Sequence, residues 1–424
     1  MKRAPSSKSS AVRSRLRGFT LVELMVALSG GLFLSIMVFA LARDTSRFYV
    51  RENRVAAATL TGMVGFERLK ADIARAGYLS TPNIIEDPKV CVRPQSDWPL
   101  GLRTLGSLRI NLDQPAPNPA LGLPENARTP DEIVLAGSYA TTDEFPIRAP
   151  EGTTIHLQRF TGPMARIGYH DITDANEQAT LLASIFGAGR ILRLVDHAGF
   201  QHFGVIDSVE GGDDPRVILE DEPALQIRGT GNVCGIRGFE TGASASVINV
   251  IRYQIRDVQA AGIARFAPLF AASAGEDAGV PGEATRTELV REELDANGTV
   301  IDGTGVNAER TLEIAAEYAV DLAFSVTAQL PGTSTAVSVT DAEEDAADFD
   351  QVFDPTPDNS AIGNPQGVRA VRVRLSVRSR EADRPGPISG GFFRFKLPDG
   401  DWARVRTFQA DVALPNQADV RWGL

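Results

Sequence analysis

Hydrophobic and polar positions follow three regimes along this chain. From Phe19 to Leu41 the residues are almost unbroken in apolar character, and as a helix those 23 positions span about 35 Å, enough for a bilayer core. From Asp44 to Ala76 the apolar residues Leu60, Val64, Phe66, Leu69, Ile73 and Ala76 recur at helical spacing, with Glu67, Lys70, Asp72 and Arg75 between them. That pattern predicts a continuing amphipathic helix with these six on its buried side, closed by Gly77. Gly62 and Gly65 weaken its middle, and two uses stay open: local melting, or a close approach to a sheet.

Beyond Tyr78 the period changes to short alternating runs separated by Gly, Pro, Asn and Asp clusters, the pattern of a β-rich domain. Tyr318, Val320, Leu322, Phe324 and Val326 alternate with Glu317, Ala319, Asp321, Ala323 and Ser325, which predicts one apolar face. Val371, Val373, Leu375 and Val377 alternate with Arg372, Arg374, Ser376 and Arg378 in the same way, and another strand is expected over Val247 to Ile255. Asp399-Gly400, between Phe393-Arg394-Phe395 and the Trp402 to Val405 run, predicts a hairpin turn.

Charge orients the apolar segment. Lys2, Arg3, Lys8, Arg13, Arg15 and Arg17 precede it without an acid, whereas Arg43, Arg47 and Arg51 mix with Asp44 and Glu52 after it. The leader side is therefore expected in the cytoplasm and the bulk outside. Leu41-Ala42-Arg43 makes a poor site for an ordinary signal peptidase, so cleavage before the apolar stretch fits better. Loss of six basic residues takes the formal net charge from -11 to -17, and a body that acidic repels nucleic acid at long range. Cys91 and Cys234, the two cysteines, then fall on the oxidising side. Either they pair, closing a long loop, or they are two separate buried thiols.

Gly18-Phe19-Thr20-Leu21-Val22-Glu23 resembles the class III signal of type IV pilins and of type II secretion pseudopilins. The resemblance implies that a prepilin peptidase cuts after Gly18 and N-methylates the new terminal residue, Phe19. Glycine suits that cut because it carries no side chain into a membrane-embedded active site. A carboxylate such as Glu23 costs several kcal/mol in hydrocarbon unless paired or protonated, and no Lys or Arg lies within one turn inside the span. In the family, that glutamate offsets the terminal amine of a neighbouring subunit. The Leu69-x-x-Asp72-Ile73-x-x-Ala76-Gly77-Tyr78 pattern, with a cysteine not far beyond, is similar to PilW-type minor pilins. The closing third resembles that group more loosely.

Three parts are expected: a leader at 1–18, an N-terminal helix at 19–77 with its membrane span at 19–41, and an outer domain at 78–424. The fold class is α+β: a long pilin helix, part membrane span and part amphipathic, packed on an antiparallel β-rich globular domain. Insertions are expected near 260–310 and 332–366. The implied function is a minor pilin that primes or caps a type IV pilus. A type II secretion pseudopilin, or a membrane-anchored outer enzyme or binding domain, are the alternatives. The implied partners are the prepilin peptidase and methyltransferase, the major pilin and other minor pilins, the inner-membrane assembly platform and the membrane itself. The implied location is the inner membrane, single-pass with the outer domain in the periplasm, and the filament or its tip after assembly.

Other constellations read more plainly. Asp341, Glu343, Glu344, Asp345, Asp348, Asp350, Asp354 and Asp358 form an acidic stretch whose spacing departs from an EF-hand loop, so a solvated loop is expected. Arg372, Arg374, Arg378 and Arg380 are expected on one solvated or ion-paired strand face. His197 and His202 fit no zinc pattern, and His156 and His170 suggest no triad. With no nucleophile elbow, Walker loop or His-Glu-x-x-His motif either, no catalytic residue, metal or cofactor is assigned.

Overall fold

The computed structural model describes residues 20–126, 128–225, 234, 242–268, 285–301, 311–332, 335–339, 349, 352–353, 363–384, 394–398 and 400–422. The chain divides into two compact units, Met1–Arg54 and Val55–Leu424. Helix α1 (Leu21–Arg75) is one uninterrupted 55-residue element that begins in the first unit and ends in the second. The class is α+β, an N-terminal apolar helix and an antiparallel β-rich domain.

Two sheets build the second unit. The first holds β1 (Leu108–Asn111), β2 (Glu132–Gly137), β3 (Phe145–Glu151), β4 (Thr154–Leu157), β5 (Ile191–Val195), β6 (Gln201–Glu210), β7 (Arg216–Leu219), β8 (Ser244–Arg256), β9 (Glu288–Leu294) and β10 (Glu313–Glu317). The second runs β12-β11-β13-β15-β14, formed by β11 (Ala319–Gln329), β12 (Ala336–Val339), β13 (Val368–Arg384), β14 (Arg394–Lys396) and β15 (Trp402–Ala413).

Strand β8 has two employments along its 13 residues. Its second half lies between β2 and β9, with Ile251 opposite Leu135 on one side and Glu293 on the other. Its first half pairs with β5 and β3, and the ring β8-β3-β4-β7-β6-β5 returns to β8, closing a six-stranded barrel. The barrel has its own core of Phe145, Ile147, Leu192, Leu194, Val217 and Val247. Helix α3 (Ala175–Ile185) adds Leu182 and Ile185 to that core, and its N-cap Asp174 accepts from the amides of Asn176 and Glu177. Apart from β8 itself, the strands of this barrel lie between β2 and β8 in sequence. Within the 260–310 region, Glu288 to Leu294 form β9, paired with β8.

The main core lies where residues 55–75 of α1 meet the sheets. Phe66, Leu69, Ile73 and Ala76 join Leu108, Ile133 and Ile251 of the first sheet and Val320, Leu322, Val373 and Leu375 of the second. Leu60 and Val64, expected on the buried side, are instead about two-thirds exposed, and Met63 beside them is half exposed. Gly62 and Gly65 take the buried positions. A Cβ on Gly65 would stand 2.3 Å from the Ala315 carbonyl oxygen, and one on Gly62 would stand 2.8 Å from a Val377 methyl. Of the two uses open to these glycines, close approach to the sheet is the one seen.

The strand expected across Tyr318 is broken there. Tyr318 takes φ +54°, and the chain passes at that point from β10 in one sheet to β11 in the other. β14 and β15 pair as expected, with Lys396 opposite Trp402, so residues 397–401 make a longer connection than a two-residue turn. Asp399 lies outside the described residues.

Candidate functional site

The first site is the head of α1. Gly18 and Phe19 lie outside the described residues. Thr20 and Glu23 form a reciprocal cap: the Glu23 amide donates to Thr20 Oγ1 at 3.3 Å, and the Thr20 amide donates to Glu23 Oε2 at 2.9 Å. The Thr20 hydroxyl also donates to Oε2 at 2.9 Å. The carboxylate, which the sequence leaves without a cationic neighbour, thus has partners in its own first turn. Among the described residues its Oε1 takes no hydrogen bond.

The helix from Leu21 to Ser46 is long and apolar enough to cross a membrane, and it is fully exposed within the chain. The hydroxyls of Ser29 and Ser35 are satisfied internally, donating to the carbonyls of Met25 and Gly31 at 2.7 and 2.8 Å. Between Leu24 and Leu41 the helix therefore presents apolar side chains and internally bonded serines, as hydrocarbon demands.

The second site is the lock at the lower end of α1. Asp72 Oδ2 accepts from Tyr253 Oη and from Arg291 Nε, each at 2.8 Å, and the Asp72 carbonyl accepts from Tyr139 Oη at 2.9 Å. Burial first, then the Asp72 charge, pushes both tyrosine pKa values well above the ordinary range. Burial opposes the Arg291 charge, yet hydrogen bonding to Asp72 and its negative charge hold that pKa above normal. One turn on, Gly77 turns at φ +78° and donates its amide to the Ala136 carbonyl at 2.8 Å, and Arg75 reaches the Ser138 carbonyl at 2.6 Å. Sequence reasoning missed this lock. Its one signal was a carboxylate, Asp72, beside Leu69 and Ile73 on the buried stripe.

Cys91 and Cys234 are joined in a disulfide, with a Cα–Cα distance of 5.6 Å across 143 residues. It ties residue 234 to the segment that bonds at the Cys91 amide to the Gln201 carbonyl.

The remaining constellations separate. The acidic residues between 341 and 358 lie outside the described residues. Arg372 pairs with Asp411 at 2.7 Å and Arg374 with Asp321 at 3.2 Å, as an ion-paired face requires. Arg378 does not share that face: it is fully buried, packed over the rings of Tyr318 and Phe395, and donates to the Thr285 carbonyl at 2.9 Å. The pairing with β15 keeps its register as far as Arg378, which stands opposite Val405; what buries the side chain is the cover that Tyr318, Phe395 and Thr285 place over this end of the strand. His156 Nδ1 donates to the Asp214 carboxylate at 2.9 Å, and buried His202 lies 3.8 Å from Asp196. Among the described residues no three His, Cys, Asp or Glu side chains converge as a metal site.

Comparison with family models, with curated proteins and with solved structures returned no match.

Proposed function

We propose that this chain is a pilin-like filament subunit of the minor-pilin type, processed between Gly18 and Phe19, N-methylated at Phe19, and retained in the inner membrane by α1 until it assembles. The observation that carries the reading is the pairing of one motif with one helix. Gly18-Phe19-Thr20-Leu21-Val22-Glu23 stands at the head of a 55-residue helix whose first half is an exposed apolar rod and whose last turns are built into a β-rich domain. The outward apolar side chains Leu60, Met63 and Val64 add surface for neighbouring helices.

In this reading the cap at Thr20 holds the Glu23 carboxylate at the very start of the helix, with Oε1 turned to no partner of its own. A neighbour's terminal amine would complete it, which gives the membrane-embedded charge a reason to drive assembly. The partners are the prepilin peptidase and methyltransferase, the major pilin, other minor pilins and the assembly platform.

The test is the mass of the mature N-terminus after expression with a prepilin peptidase. The expected product begins at N-methylated Phe19; one that begins at Met1 or at any other residue overturns the proposal. Glu23→Gln, which retains the capping oxygen but not the charge, is expected to be processed normally and to enter filaments poorly. Normal entry would remove the charge-pairing account.

A further inference from the structure

A cavity of about 130 Å³ opens on the face of the first sheet that points away from α1. Its walls are Val134, Ala136, Val250 and Leu294 from β2, β8 and β9, closed over by Leu100 and Leu105 of the segment around the short helix α2 (Leu100–Arg103). The register explains the placement. Leu108 and Ile110 of β1 face the helix core, so Arg109 between them faces the other way, opposite Val134 and into this cavity.

Arg109 is the unusual member of that lining. Its Nε is sealed from solvent without a hydrogen-bond partner, and among the described residues no carboxylate lies within ion-pair distance. The nearest acid on the sheet, Glu132, takes a hydrogen bond from Asn111 at 2.6 Å and has Arg252 at 3.8 Å. Burial, only partly offset by the charge of Glu132 and reinforced by that of Arg252, pushes the Arg109 pKa down, as expected for a cation held without its anion. A half-buried guanidinium is costly to leave so, and its planar fork fits a carboxylate. The other lining side chains are apolar apart from Thr104 and Asn297, with backbone of Gly101, Gly106 and Gly298 between them. An apolar cavity of about 150 Å³ is enough to hold benzene.

We propose that this cavity binds a small monocarboxylate with a compact apolar body, the carboxylate on Arg109 and the body against Val134, Val250, Leu105 and Leu294. The same chemistry is presented by a free aromatic or branched-chain acid and by the C-terminal residue of a peptide ending in leucine.

The test is titration of the full chain in detergent with benzoate, isovalerate and a dipeptide ending in leucine, each beside its neutral amide, read by calorimetry and by thermal midpoint. Saturable one-to-one binding of an acid, at least about tenfold tighter than its amide, is expected, since a charge-assisted pair distinguishes the two. Tighter binding of the free acids assigns the site to small molecules, and tighter binding of the dipeptide assigns it to a chain end. Arg109→Gln is expected to abolish the preference for acid over amide, and Arg109→Lys to retain part of it. Absence of saturable binding by all three acids, or equal binding of acid and amide by the wild-type chain, overturns the proposal even where the variants fail to fold. An unchanged acid preference in folded Arg109→Gln does so too.

Discussion

Substitution of Gly65 by alanine isolates the contact on which the seating of α1 depends. Alanine favours a helix over glycine by about 1 kcal/mol, so propensity alone predicts stabilisation. Packing predicts the reverse. The new methyl carbon would meet the Ala315 oxygen at 2.3 Å, the Ala315 carbonyl carbon at 2.8 Å and the Ala316 Cβ at 2.9 Å. Ordinary contact needs about 1 Å more, and the obstacle is strand backbone rather than a side-chain tip that could swing away. Overpacking of this kind costs about 1 to 3 kcal/mol, and a backbone clash belongs at the upper end, leaving a net loss of about 2 kcal/mol. In a domain this large that is a fall of roughly 2.5 °C in thermal midpoint. Gly62→Ala should cost less, because it meets the ends of Val377 and Phe408, and Gly31→Ala should cost nothing, because nothing in the chain lies within 4 Å. The assay is unfolding of the β-rich domain followed by near-ultraviolet circular dichroism in detergent. A Gly65→Ala protein that melts at or above the wild-type midpoint would refute the close-approach argument.

The other expectations concern the lock and the disulfide. Asp72→Ala strips the largely buried Arg291 of its main anion and should lower stability by about 3 kcal/mol, measurable by denaturant titration; a change below about 1 kcal/mol would show Glu313, 3.7 Å from Arg291, to be a sufficient partner. Tyr253 and Tyr139 hold their protons more tightly folded than unfolded, so their contribution is complete below about pH 10 and is lost as the pH rises further. Alkaline unfolding should therefore begin above that pH, and Tyr253→Phe should flatten the pH dependence of the midpoint there; an unaltered profile counts against it. Cys234→Ser reopens a 143-residue loop, and the chain-entropy account expects a loss of about 5 kcal/mol; an unchanged midpoint after reduction would contradict it.

Some of this architecture was legible in the residues, and the exceptions are instructive. Val247 to Ile255 and Val371 to Val377 were readable as strands because a two-residue period needs only local information, and both fall inside longer observed strands, β8 and β13. The buried stripe of α1 was half legible. Phe66, Leu69 and Ile73 face the core, but Leu60 and Val64 do not, because helical spacing defines a face without saying what covers it. Here the sheet approaches so closely that only glycine fits on its side. Closure of the barrel was invisible, since it depends on β5 and β8 meeting across some fifty residues. The Asp72 lock was invisible for the same reason: Arg291 is 219 residues away. Arg378 keeps the alternation but not the exposure it implies, because Tyr318 and Phe395, distant in sequence or on another strand, cover it. The head of α1 was legible as a motif, but the Thr20 and Glu23 cap appears only once the helix has a first turn to close.

The double employment of β8 bears on how this protein comes apart. Barrel and large sheet are usually separable folding units, each able to melt on its own when the connections between them are loops. Here they own the same strand: Val247 lines the barrel and Ile251, four residues on, lies in the core under α1. The barrel cannot open at its β5 and β8 seam without loosening the strand that holds β2 and β9 together. Heat or tension applied to either part should therefore meet one cooperative transition rather than two, a resilience that loops could not supply.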